Sequence, residues 1–170
     1  MRGTGGRAGK TIMVLALVGG LWAPALATAD GDRTPAPTST ADPAYTEAVR
    51  AIDAGQFKTA IPLLEGVVAR DDRNADAYNW LGYAVRKDGD PARAIPIYQK
   101  ALALDPKHRG AHEYIGEAYL MVNDLASAKQ HLARLDALCF FSCEEYRDLK
   151  KAVQAYEKSN GKMKPAASTN

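Results

Sequence analysis

Two cysteines, Cys139 and Cys143, have the most distinctive chemistry in this sequence of 170 residues. Because they are four positions apart, they can form a disulfide across a tight turn. A disulfide is the usual state of two cysteines in an exported protein that has no others. By the chain-entropy argument so small a loop adds only about 2 kcal/mol, so the bond would pin a corner of the fold. Because Cys143 precedes a predicted helix, whose dipole lowers a thiol pKa, a reactive CxxxC pair in a thiol-redox or copper-binding protein is the alternative.

Three histidines form a second set of potential ligands. They are His108, His112 and His131. Although His108 and His112 have a chelating spacing on a helix, His108 falls in a turn after Pro106, so we expect surface or packing roles and no metal site. The sequence contains no glycine-rich phosphate loop and no GxSxG or HExxH motif. We therefore expect no catalytic residues, no cofactor and no enzymatic activity.

The elements that must position these side chains follow from an internal repeat of 34 residues, seen in three copies without gaps. The copies share a small residue (Ala48, Gly82, Gly116), a turn residue (Gly55, Gly89, Asn123) and an alanine (Ala60, Ala94, Ala128). Apolar residues recur at helical spacing on both sides of each turn, so each copy is predicted to be a helical hairpin. The small residues would let the two helices of a hairpin approach closely. Since one hairpin cannot bury both its faces, three should stack as an α-solenoid.

The middle copy resembles the tetratricopeptide repeat (TPR). It carries the residues of that pattern at the family's spacings: Tyr78, Leu81, Gly82, Gly89, Ala94, Tyr98, Ala101 and Pro106. The resemblance implies an all-α solenoid over residues 43–158, with three TPR hairpins at about 41–74, 75–108 and 109–142. A capping helix is expected at 143–158, after a Ser142 and Glu145 capping box. Pro62 and Pro96, also 34 residues apart, indicate a tolerated kink that recurs in the second helices.

The family's inward-facing positions give a candidate partner-binding groove on the first helices of the hairpins. Carried over to this sequence, they are Tyr45, Val49, Ile52, Asn79, Tyr83, Arg86, Glu113, Glu117 and Leu120. Only Asn79 and Arg86 resemble parts of the clamp with which some members hold a C-terminal carboxylate, and Glu113 and Glu117 would repel such a group. We expect a protein or peptide partner with a basic residue beside an apolar anchor.

The two ends of the sequence differ from the repeats. Arg2, Arg7 and Lys10 precede an uncharged, mostly apolar run over 11–23 and two small-residue cleavage patterns, which predicts a signal peptide (1–29) cut near residue 27 or 29. The run of 13 residues is shorter than the ~20 that span a bilayer, so no membrane insertion is expected after cleavage. Residues 30–42 and 159–170, rich in small and polar residues, are predicted to be a disordered linker and tail.

The charge balance excludes a nucleic-acid partner. The formal net charge is +2, but three of the 22 Lys and Arg lie in the predicted signal, which leaves 19 against 20 Asp and Glu. A nearly neutral chain lacks the basic footprint of a nucleic-acid binder. With the family resemblance, the sequence predicts an exported bacterial TPR protein, periplasmic or secreted. Its predicted role is that of a non-catalytic interaction module, a scaffold or chaperone-like adaptor of the cell envelope.

Overall fold

Seven helices make up the part of the chain that the computed structural model describes, residues 42–159 and 161. They are α1 (Pro43–Asp53), α2 (Phe57–Arg70), α3 (Ala75–Lys87), α4 (Pro91–Leu104), α5 (Arg109–Met121), α6 (Leu125–Leu138) and α7 (Glu144–Lys158). Helices α1 and α2, α3 and α4, and α5 and α6 pack as hairpins, and α7 packs on α5 and α6. The predicted all-α solenoid with a capping helix is confirmed. The predicted signal peptide (1–29) and nearly all of the predicted linker (30–42) and tail (159–170) lie outside the described residues.

The hairpins begin and turn at residues that suit those positions. At the start of α1, α3, α4 and α6, the side-chain oxygen of the N-cap residue accepts a hydrogen bond from a backbone N–H of the first turn. These N-cap residues are Asp42, Asn74, Asp90 and Asp124, respectively. These bonds satisfy amides that have no partner within the helix. The turn residues Gly55, Gly89 and Asn123 have φ angles of 71°, 101° and 64°. This left-handed backbone explains why glycine or asparagine recurs there.

Both internal prolines are accommodated without ending a helix. Pro62 lies inside α2 and Pro96 inside α4, each at the sixth residue. The residues four positions earlier, Lys58 and Ala92, are exposed, so the carbonyls that lose an N–H donor can bond to water instead. Each helix therefore continues through its proline, at the same place in two successive repeats.

Close approach of the helices depends on the small residues of the repeat. Ala48, Ala60 and Ala94 are fully buried. A Cβ atom built on Gly82 would lie 2.6 Å from the Tyr98 ring of α4. In the third hairpin the equivalent glycine, Gly116, is covered differently, because its nearest atoms belong to Leu149 of α7, 2.6 Å from a built Cβ. At this glycine the capping helix thus provides the contact on α5 that α4 provides on α3.

The start of α7 differs from the predicted capping box. The helix begins at Glu144, its N-cap residue is Cys143, and no side chain caps it. Ser142 has φ of 57°, in the left-handed region. The predicted capping box is therefore wrong, because Ser142 forms the turn before the helix and its hydroxyl is not at the N-cap. Glu145 instead approaches Arg109 of α5, with 3.5 Å between Oε1 and Nε.

Candidate functional site

A buried arginine joins the second and third hairpins. The Nη1 atom of Arg86 on α3 lies 2.8 Å from Oε2 of Glu117 on α5, and its side chain is only 9% exposed. Its Nε donates to the hydroxyl of Tyr98 at 3.4 Å. The guanidinium carbon lies 5.4 Å and 5.5 Å from the ring centroids of Tyr83 and Tyr114. We call these five residues the Arg86 cluster. Since breaking a buried ion pair is costly, Arg86 holds the hairpins together and cannot readily leave Glu117 for a ligand.

Two phenols next to this arginine, those of Tyr98 and Tyr114, stay protonated. Burial raises the pKa of Tyr114 to about 12 and also raises the pKa of Tyr98. Both hydroxyl groups are therefore neutral at any physiological pH. The cluster carries one positive and one negative charge, which compensate each other.

Glu113, next to this cluster on α5, is not a fixed negative charge. Burial raises the pKa of its carboxyl to about 8, and the nearby charges of Glu117 and Asp148 add to the rise. Glu113 is therefore mostly protonated at neutral pH, and Glu117 is already paired with Arg86. The expected attraction for a basic residue relied on two unpaired carboxylates, so the structure weakens the basis of that expectation.

A row of partly buried aromatic rings crosses from α2 over α3 to α5. Ring centroids are 6.2 Å apart for Phe57 and Tyr83, 5.6 Å for Trp80 and Tyr83, and 4.9 Å for Tyr83 and Tyr114. We call these four residues the aromatic row. The ammonium of Lys87 lies 5.9 Å from the rings of both Phe57 and Tyr83. Lys87 is exposed, and none of the ion pairs among the described residues includes it. The row therefore offers apolar surface beside one accessible cation.

The nine predicted groove residues are not all accessible. Tyr45, Val49, Tyr83, Glu113 and Glu117 keep part of their surface, whereas Ile52, Asn79, Arg86 and Leu120 are buried. Leu120 is fully buried in the C-terminal core because α7 lies over α5. Asn79 faces the first turn of α5, where its Nδ2 would lie 3.5 Å from a Cβ on Gly110, and its Oδ1 has no hydrogen-bond partner.

Three members of the aromatic row were not among the residues predicted from the sequence. Trp80 and Tyr114 each follow an inward position by one residue, and Phe57 belongs to a second helix. Trp80 and Tyr83 are three positions apart, so an aromatic pair on one face of α3 was visible in the sequence. Nothing in the sequence indicated that Phe57 and Tyr114 would extend it, because those contacts arise between helices.

The histidines have structural contacts. His108 accepts the Ala111 N–H at 3.1 Å and so caps α5, as a turn residue can. His112 and His131, 19 positions apart, bring their Nδ1 atoms to 2.9 Å. Because the Pro106 carbonyl 3.2 Å from His112 Nε2 can only accept, His112 carries its proton on Nε2 and His131 donates from Nδ1. The described residues contain no group of three or more His, Cys, Asp or Glu placed to hold a metal ion.

The corner between α6 and α7 contains the two cysteines. A disulfide joins Cys139 and Cys143, whose Cα atoms are 5.5 Å apart. Phe140 and Phe141, between them, are 92% and 88% exposed. In this state neither sulfur is a thiolate, so thiol chemistry or copper binding would first require reduction of the bond. No helix within 42–159 combines the length and the apolar character needed to cross a bilayer.

Models of one family match the hairpins just described. Two tetratricopeptide repeat models match residues 45–108 and 85–153, and together they span all three hairpins and most of α7. The chain belongs to the tetratricopeptide repeat family. A search of the curated proteins gave no match.

Solved structures of other TPR proteins share the fold. The Yersinia enterocolitica type III secretion chaperone SycD, in complex with a peptide of the translocator YopD, is 20% identical, with a TM-score of 0.59 over 68% of this TPR chain and 88% of SycD. The TPR2B domain of yeast Sti1, in its pHsp70 complex, is 19% identical, with a TM-score of 0.63 over 68% of this chain and 94% of the Sti1 domain. MamA from Desulfovibrio magneticus RS-1 is 32% identical over 56% of this chain and 54% of its own, with a TM-score of 0.54.

Proposed function

We propose that this TPR protein is a non-catalytic interaction module that binds a segment of a partner protein along the aromatic row. The observation that carries the proposal is the row itself, which places four partly exposed rings from three helices in continuous contact. Aromatic residues supply large contact areas at low entropic cost, and they are enriched where proteins bind each other. Two fold neighbours, SycD and Sti1, have been solved as complexes with a peptide of YopD and with pHsp70, which supports a shared use of the fold.

The chemistry of the row defines the kind of segment that would bind. Apolar side chains of the partner would pack on the rings, and an acidic group would lie beside Lys87, the exposed cation at 5.9 Å from Phe57 and Tyr83. Arg86 would contribute by fixing Tyr83 and Tyr114 rather than by touching the partner. The segment would therefore combine an apolar anchor with an acidic residue.

Two lysines provide a matched test. Lys87 lies over Tyr83, and Lys150, on α7, lies 5.3 Å from the ring of Tyr146, away from the aromatic row. A random peptide library displayed on phage is selected on the wild-type protein, and the recovered peptides are measured by fluorescence anisotropy. We expect Lys87→Glu to weaken their binding about tenfold or more and Lys150→Glu to leave it unchanged. Equal binding by both variants, or no enrichment of peptides, would refute the proposal.

We also propose that the protein works in the bacterial envelope after export. The basic start, the apolar run at 11–23 and the small residues before 29 support this, as does a disulfide that an oxidising compartment would preserve. Fractionation of an expressing Gram-negative host, with mass spectrometry of the N-terminus, tests it. The expected product is periplasmic or secreted and begins near residue 28 or 30, whereas a cytoplasmic chain that retains its N-terminal segment would contradict the proposal.

A further inference from the structure

Two phenylalanines form an exposed apolar tip at the C-terminal corner. Phe140 and Phe141 are 92% and 88% exposed, and their ring centroids are 4.7 Å apart. The Cys139–Cys143 disulfide closes the loop that carries them. Scattered apolar residues on a surface are ordinary, but two adjacent large ones held almost entirely in water indicate a contact site.

An apolar cleft lies between the two helices that flank this tip. It has a volume of about 380 Å³ and its walls belong to α6 and α7, including Leu132, Tyr146 and Val153. Leu132 is partly exposed there, although its repeat equivalents Leu64 and Tyr98 are fully buried. The cleft remains open because α7 packs Leu149 onto Gly116 of α5. A group that fills the cleft would therefore bury Leu132, which is the only one of these three equivalent residues that the fold leaves partly exposed.

The tip cannot fill the cleft of its own molecule. It lies in the five-residue corner that joins α6, which ends at Leu138, to α7, which begins at Glu144. That corner is closed by the disulfide and is too short to fold back between the helices it connects. A second copy of the chain has no such restriction, and a two-fold axis would let each tip enter the other molecule's cleft.

We propose that two copies form a symmetric dimer in which Phe140 and Phe141 of each molecule fill the α6/α7 cleft of the other. Aromatic side chains bury roughly 150 to 250 Å² each, so four rings and the walls that receive them would reach about 1,200 to 2,000 Å², the size of a standard specific interface. The charges at the rim of the cleft are balanced. Lys129 and Glu157 form an ion pair at 2.6 Å, and the rim also contains one further acid, Asp136, and one further base, Lys150. The cleft shares no residue with the aromatic row, so the dimer does not depend on the proposed peptide site.

A lipid surface is the less suitable occupant. Glu144 and Glu145 follow the tip after Ser142 and Cys143, and Asp136 lies one turn before it. Anionic membranes attract apolar tips that are flanked by lysine and arginine. The acids at this corner favour a protein cleft with mixed charges at its rim.

Sedimentation equilibrium tests the dimer. The sample is the protein purified from a host that expresses the whole gene, in the form that the host produces. We expect a concentration-dependent dimer for the wild type and a dissociation constant about tenfold or more weaker for Phe140→Ser/Phe141→Ser and for Leu132→Lys. Val122→Ser, at the exposed turn between α5 and α6, is the matched control and should dimerise like the wild type. Circular dichroism of each variant establishes that it is folded. A monomeric wild type, or a dimer unaffected by Phe140→Ser/Phe141→Ser, overturns the proposal.

Photo-crosslinking locates the contact. With benzoylphenylalanine in place of Phe140, and isotopically labelled protein mixed with unlabelled protein, crosslinks should join the tip of one copy to segments 129–136 or 146–157 of the other. Crosslinks to other segments would contradict the proposed contact in the cleft.

Flotation with phosphatidylglycerol and phosphatidylethanolamine vesicles tests the alternative that the tip binds a membrane. A monomer that floats with the vesicles, and no longer does so after Phe140→Ser/Phe141→Ser, would assign the tip to a membrane and overturn the dimer.

Discussion

Glu113 is the residue whose protonation the fold changes most among the carboxylic acids described. Its pKa is raised from 4.5 to about 8, chiefly by burial. The folded state therefore holds a proton that the unfolded state has released. The stability linked to this group is complete below about pH 4.5 and is lost as the pH rises through about 8.

Replacement by glutamine mimics the protonated form of Glu113. We expect Glu113→Gln to be more stable than the wild type by about 2 kcal/mol at pH 9, after allowance for partial solvent screening, and to match it at pH 4. Urea denaturation at the two pH values measures this difference. Glu47→Gln, at an exposed position of α1, is the control and should change stability little at either pH. An equal effect of Glu113→Gln at both pH values would show that its charge is not the cause.

The His112 and His131 pair responds to pH in the opposite direction. Burial lowers the pKa of His131 from 6.5 to about 4, with a contribution from His112, whose own pKa is lowered mainly by burial. Unfolding exposes both rings, which then take up protons below pH 6.5. The wild type should therefore lose stability as the pH falls from about 6.5 towards 4.

Asparagine in place of His131 can still donate to His112 Nδ1 but cannot titrate. We expect His131→Asn to show a flatter decline in melting temperature between pH 6.5 and 4.5 than the wild type, even if it is less stable at pH 7. His108→Asn is the comparison, because His108 caps α5 and lies outside the pair. The explanation fails if the two variants have parallel pH profiles.

At the scale of the helices, the repeat spacing predicted the six hairpin helices because their close packing is local and recurs every 34 residues. The repeat spacing did not predict the contacts that differ from one repeat to the next. Leu120 was placed in the groove but lies in the core, since α7 covers α5 more fully than a regular repeat helix covers its neighbour. The contact between His112 and His131 and the contact between Phe57 and Tyr83 cross between helices and have no signature along one helix.

Gly116 tests how α7 is docked. A Cβ there would lie 2.6 Å from the buried Leu149 side chain, so Gly116→Ala requires Leu149 or α7 to shift. We expect a loss of about 1 to 3 kcal/mol in the free energy of unfolding. The nearest atom to a Cβ on Gly110, in the first turn of the same helix, is at 3.5 Å, an ordinary contact. Since alanine favours helices, Gly110→Ala should be neutral or slightly stabilising. Chemical denaturation of both variants measures the contrast, and equal losses would contradict this docking.

At the scale of the whole molecule, the buried residues form two clusters. The larger one runs from α1 to α5, and the smaller one joins α5 to α7. Helix α5 contributes to both, and the ion pair between Arg86 and Glu117 ties it to α3. In a solenoid each repeat contacts only its neighbours, so stability is a sum of local terms and the ends can open separately.

Hydrogen exchange should therefore distinguish the two clusters. We expect the amides of α7 and α6 to exchange through a partial opening of lower free energy than those of α3 and α4, because the smaller cluster holds them on one side only. Reduction of the disulfide at Cys139 and Cys143 should lower the protection of α7 by up to about 2 kcal/mol and leave α3 unchanged, since the bond constrains only the corner before α7. Mass spectrometry of exchange with and without reductant measures both effects. Uniform protection across all seven helices would mean that the solenoid unfolds as one unit, and that α5 couples the clusters more strongly than their separation implies.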